Sequence, residues 1–128
     1  MLKTFLTLLF LIVLKLSVGQ SINSDCNSFK TGTFTYQSER YNSVIIKRTE
    51  RKQTEFDPKD NIKIKYKIRW TSNCEYEIIQ VWSNNQEVKR MNGSIIKVKM
   101  TNVYANSYEY IADLNGSITK DTILRLKK

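Results

Sequence analysis

From Ile62 to Trp70 the chain alternates without a break. Ile62, Ile64, Tyr66, Ile68 and Trp70 share one face, and Lys63, Lys65, Lys67 and Arg69 share the other. A two-residue repeat of that length fits a strand with one apolar and one wet face; a helix would scatter the same lysines around its circumference. The β-branched and aromatic residues on the apolar side agree with it. Asn61 to Trp82 therefore reads as a β-hairpin that organises the rest of the chain. A loop of Thr71-Ser72-Asn73, with Asn73 left-handed, sets Trp70 opposite Cys74, Ile68 opposite Tyr76 and Tyr66 opposite Ile78. The same register pairs Arg69 with Glu75 and Lys67 with Glu77 on the outer face. A slip of one residue would turn one arm inside out. The phase changes at Ile78-Ile79, which a β-bulge or a strand buried on both faces would explain.

Shorter segments flank this hairpin. Gly32, Phe34 and Tyr36 share a face of a first strand, with a bend or close approach at the glycine. Glu39 to Ser43 reads as a turn, Val44 to Glu50 as a second strand and Gln53 to Phe56 as a short third, before the polar turn around Pro58. Val88 to Met91 is expected as a further short strand. Asn92-Gly93 and Asn115-Gly116 are hairpin-turn dipeptides. Between them Ile95 to Tyr104 and Tyr108 to Leu114 form a hairpin across Ala105-Asn106-Ser107, with Met100 opposite Ala112, Val98 opposite Leu114 and Lys99 opposite Asp113. Ser117 to Leu126 is the last strand. The expected fold is all-β: an antiparallel up-and-down meander of seven to nine strands closing into a small barrel, with a two-sheet sandwich as the alternative.

Residues 1–19 have a lysine at position 3, an apolar run from Thr4 to Leu14 and small residues at Ser17 and Gly19. They are expected to be a signal peptide cut before Gln20, and the apolar run is short for a membrane anchor. Residues 20–128 would then be one exported domain, periplasmic, in the cell envelope or secreted. They keep 19 of the 21 Lys and Arg and all 12 acids, a net charge of +7. In an exported chain the two cysteines, Cys26 and Cys74, favour a disulfide over free thiols.

The chain has no histidine, which removes histidine catalysis and most zinc chemistry. Nucleotide, metalloprotease and EF-hand motifs are absent. The acids are scattered, and Glu75 and Glu77 read as partners of outer-face cations. No enzyme, metal or cofactor is expected. The aromatics Phe34, Tyr36, Tyr66, Trp70, Tyr76, Tyr108 and Tyr110 form a core or line a ligand cavity. Arg48, Gln53 and Glu55 are expected on the exposed side, with an internal polar network or the orienting groups of a pocket as alternatives. The lysines read as a solvated face, with attraction to anionic polymers or lipid headgroups as the sharper alternative.

The runs Cys26 to Phe34, Ile46 to Arg48, Gln53 to Glu55 and Trp70 to Tyr76 resemble small exported bacterial proteins of uncharacterised function, some of which carry a "DNA topoisomerase IV" label. The resemblance implies a compact barrel, loosely similar to lipocalins. Phe29, Gly32 and Phe34 echo the lipocalin opening, with Gly32-Thr33-Phe34 in place of the usual Gly-x-Trp. A topoisomerase role has neither an active-site tyrosine context nor a nucleotide site to support it.

The sequence is therefore read as an exported, monomeric, non-catalytic barrel that binds a small apolar or amphipathic ligand. Tyr36, Arg48, Gln53, Tyr66 and Trp70 are its candidate binding residues, and no nucleic-acid partner is expected. The alternative is an envelope module that holds anionic polymers or lipid headgroups on its basic face, with Lys63, Lys65 and Lys67 as the test positions.

Overall fold

The computed structural model describes residues 26–127. The expected signal peptide, 1–19, and its cleavage point lie outside the described residues. Eight strands follow a single 3-10 turn, Cys26–Phe29: β1 Gly32–Tyr36, β2 Ile45–Arg48, β3 Lys52–Asp57, β4 Ile62–Trp70, β5 Glu75–Ser83, β6 Ile95–Val103, β7 Ser107–Leu114 and β8 Ser117–Lys127. Each pairs antiparallel with the next, and β8 returns to β1, so the sheet is a closed up-and-down barrel. Closure pairs both edges that an open sheet would leave bare.

The alternation of β4 sorts as expected. Tyr66 and Ile68 are buried, while Lys63, Lys65, Lys67 and Arg69 are exposed. Both hairpin registers, however, are corrected by two residues. Trp70 faces Tyr76, Ile68 faces Ile78 and Arg69 faces Glu77, so Lys67 meets Ile79 instead of an acid. In the second hairpin Val98 faces Ala112, Met100 faces Tyr110 and Lys97 faces Asp113. A shift of two keeps every side chain on its face, so the apolar pattern is equally satisfied by either register. In the first hairpin four residues, rather than three, separate β4 from β5; in the second a bulge at Thr101, between the pairs Met100–Tyr110 and Asn102–Glu109, resets the register. Asn73 is not left-handed; the left-handed non-glycine residues among those described are Asn61 and Asn115.

The phase change in β5 is a bulge. It lies at Val81, between the pairs Tyr66–Gln80 and Lys65–Trp82, rather than at Ile78-Ile79. It turns Val81 and Trp82 outward and returns Ser83 to the interior. Two further expectations fail. Val88–Met91 is a 3-10 turn instead of a strand, and Asn92-Gly93 leads from it into β6 instead of closing a hairpin. Asn115-Gly116 does close one, with both residues left-handed between paired Leu114 and Ser117.

One barrel end is plugged. The N-terminal turn sits there, held to the β4–β5 loop by the Cys26–Cys74 disulfide, with Cα atoms 5.3 Å apart and a sequence separation of 48. Phe29 packs on Tyr108 at 5.0 Å, and the Arg125 guanidinium lies 4.4 Å above the Phe29 ring. Arg125 also donates to the Ser28 carbonyl at 2.8 Å. Gly32 makes the entry possible: its φ is +135°, and a Cβ there would come within 3.1 Å of the Lys127 carbonyl.

Candidate functional site

The interior has two halves. In the plugged half, β2 and β3 turn their polar side chains inward. Arg48, Gln53 and Glu55 are buried, which corrects the expectation that they face solvent. The cause is the phase of β3, which sends Phe56 and Lys52 outward and its polar alternates in.

Arg48 is the hub. Its Nε donates to Gln53 Oε1 at 2.8 Å and its Nη1 to the Phe29 carbonyl at 2.9 Å. Its Nη2 reaches the hydroxyls of Tyr108 at 3.0 Å and Tyr76 at 3.3 Å, and those hydroxyls are 2.7 Å apart. The guanidinium also stands 4.9 Å from the ring centres of Phe34 and Tyr76. Gln53 Nε2 then donates to Glu55 Oε2 at 3.0 Å, and the Tyr36 hydroxyl donates to Glu55 Oε1 at 2.7 Å. One chain of hydrogen bonds thus joins the cation at the plugged end to a carboxyl deeper in the barrel. A buried charge survives only with such partners.

The electrostatics follow from burial. Desolvation pushes the Glu55 carboxyl above its ordinary value, opposed by the bonds from Tyr36 and Gln53 and by the Arg48 charge. Burial first and the Glu55 charge second push the Tyr36 phenol well up. Tyr66 and Tyr110 are raised as well, mainly by burial. These phenols therefore remain protonated donors at neutral pH.

In the other half the inward residues are mostly smaller and aliphatic, and they leave a cavity of about 230 Å³ open at the unplugged end. Tyr36, Tyr76 and Tyr110 form its phenolic part. Ile78, Ile96, Val98, Ala112, Leu114 and Ile123 supply apolar wall, and Ser117 and Thr119 add hydroxyls. Five strands contribute, so no local motif could have announced it.

Among the sequence candidates, Tyr36 joins both structures: it lines the cavity and bonds Glu55. Arg48 and Gln53 lie below it in the network. Tyr66 is buried opposite Gln53 but is not part of the cavity wall. Trp70 lies at the plugged end, 4.7 Å from Tyr76 and with Lys30 Nζ 5.3 Å from its ring centre. The structure thus brings Tyr36, Arg48 and Gln53 together and sets Trp70 apart. Glu55, Tyr76, Tyr108 and Tyr110 complete the arrangement. Inward phase on their strands was their one sequence signal, and it does not separate a wall from a core.

Among the described residues no three His, Cys, Asp or Glu side chains gather as a metal site. Compared with known proteins, the chain matches no family model, no curated protein and no solved structure. Of what the resemblance implied, the closed eight-strand barrel is what the structure shows.

Proposed function

We propose that this is an exported, non-catalytic binding protein that carries a small amphipathic molecule in the open half of its barrel. The observation that carries the reading is the 230 Å³ cavity with an apolar wall and a phenolic floor. Apolar lining with a few convergent polar groups is the usual composition of a small-molecule site. At about 30 Å³ per water-sized volume the cavity holds roughly eight non-hydrogen atoms, and the open mouth leaves room for a tail. The ligand's apolar part would lie along Ile78, Ile96 and Ala112, and its polar end would meet Tyr36 and Tyr110. The phenols are protonated, so an acceptor such as a carbonyl or hydroxyl oxygen suits them. The Cys26–Cys74 disulfide is compatible with export, and the expected signal peptide supplies the route.

Native mass spectrometry of protein purified from its own host, with indole and hexanoic acid as added probes, tests this. A bound mass is expected, together with probe-induced shifts of the Tyr36 and Tyr110 ring resonances. Both should vanish in Ala112→Phe, which fills the cavity. Absence of any bound mass and of any shift at millimolar probe would reject the reading.

A further inference from the structure

The corrected register changes what the outer lysines mean. Lys67 was expected to face Glu77; in the structure Glu77 pairs with Arg69, and Lys67 stands between Ile79 on β5 and Lys52 on β3. Its neighbours repeat the pattern. Lys65 lies between Thr54 and Trp82, Lys63 faces Phe56, and Lys47 lies between Thr33 and Thr54. The acid in the middle of this wall, Glu55, points into the barrel. Like charges directly opposite one another, as Lys52 and Lys67 are, cost stability in a sheet.

The other wall is built differently. Across β5, β6 and β7, Glu75 faces Lys99, Glu77 faces Lys97 and Lys97 faces Asp113. Asn102 Nδ2 donates to Glu109 Oε2 at 2.8 Å. Lysines there have cross-strand acids, and lysines on β2 to β4 do not. The unneutralised cations also run in a line. At about 3.4 Å per residue, Lys63 to Lys67 spans about 14 Å, and three strands are about 10 Å wide. Phe56 lies exposed within the strip and Trp82 lies exposed at its β5 border, with Lys65 Nζ 4.9 Å from the Trp82 ring centre.

We infer that the outer wall of β2, β3 and β4 binds a linear anionic polysaccharide. The cations would meet its carboxylate or sulfate groups, and Phe56 and Trp82 would meet the apolar C–H faces of its sugar rings. A narrow row on a convex wall fits a chain better than a membrane plane. The proposal assumes export but is independent of the cavity, which lies inside the barrel.

Binding of the full protein to heparin and to polygalacturonate at several salt concentrations tests it, with anionic phosphatidylglycerol vesicles and oligothymidylate as competing probes. Affinity for the glycans should fall steeply with salt, as for any polyanion held by several cations. Lys63→Gln, Lys65→Gln and Lys67→Gln together should weaken it by about tenfold or more at 0.1 M salt. The charge-matched set Lys97→Gln, Lys99→Gln and Lys120→Gln should change it less than about twofold, because those positions lie outside the row. Circular dichroism checks that both sets fold. Equal losses in both sets, tighter binding of vesicles or oligothymidylate than of either glycan, or no glycan binding at low salt would each overturn the assignment.

Discussion

The two ends of the barrel are made of the same eight strands and do opposite things. At the plugged end the inward positions hold Phe29, Phe34, Arg48, Tyr76 and Tyr108, all buried. Bulky rings enclose one cation, and a disulfide fastens the lid. At the open end Ile96, Ala112, Leu114 and Thr119 leave a cavity. A small barrel has room for side chains or for a ligand, and this one divides its length between them. The lesson is that stability is concentrated at one end, which leaves the other free to remain underfilled.

The largest test of that division is Arg48→Met. It leaves the Phe29 carbonyl and Gln53 Oε1 without their donor and the paired Tyr76 and Tyr108 hydroxyls without their cation, and the loss should reach about 3–5 kcal/mol. Arg48→Lys should fall well short of rescue, since an ammonium cannot reproduce the fork that spans these partners. Urea unfolding gives both values. A loss under about 1 kcal/mol for Met would mean that the aromatic rings alone hold the plugged end.

Next comes the double variant Cys26→Ser, Cys74→Ser. Opening a 48-residue crosslink removes about 4 kcal/mol in the chain-entropy account. Cavity probes should still bind whatever fraction stays folded, because the bond lies at the far end. Loss of binding in a fully folded variant would show that the two ends are coupled.

A smaller effect connects the halves through Glu55. Its carboxyl titrates higher in the folded chain than in the unfolded one, whose value is near 4.5. Stability from this group is thus complete below that value and is lost as pH rises through the folded one. In Glu55→Gln the amide oxygen accepts from Gln53 and the amide nitrogen donates to the Tyr36 oxygen, so the connections survive without the charge. The variant should gain on the parent as pH rises from 4.5, then run parallel to it. Parallel denaturant midpoints from pH 4 to pH 8 would place the carboxyl outside the energetics. The least effect is expected from Ala112→Phe: it adds a ring to existing space, so the melting temperature should correspond to a change within about 1 kcal/mol. A large loss would show that the open end is as tightly packed as the plugged one.

Some of this was legible in the residues and some was not. The strands, their faces and the crosslink were, because two-residue periodicity and an even cysteine count act locally or by simple pairing. Register was not: in both hairpins a two-residue shift preserves every face, and the shift altered only which charges meet. That difference matters on the outside, where it takes the acid away from Lys67. The polar trio was misjudged because Arg48, read locally, is a charged residue on a short strand. Its partners are Tyr76 and Tyr108, 28 and 60 residues along the chain.

Alternation along β4 and its neighbours determined an all-β chain with a greasy inside and a cationic outside, since a pleated strand offers no other way to sort Ile62 to Trp70. Only closure of β8 onto β1 decided where the guanidinium of Arg48 would find oxygens, where space would remain and which lysines would lack an acid. Those outcomes depend on contacts among side chains far apart in the chain, which no local repeat encodes.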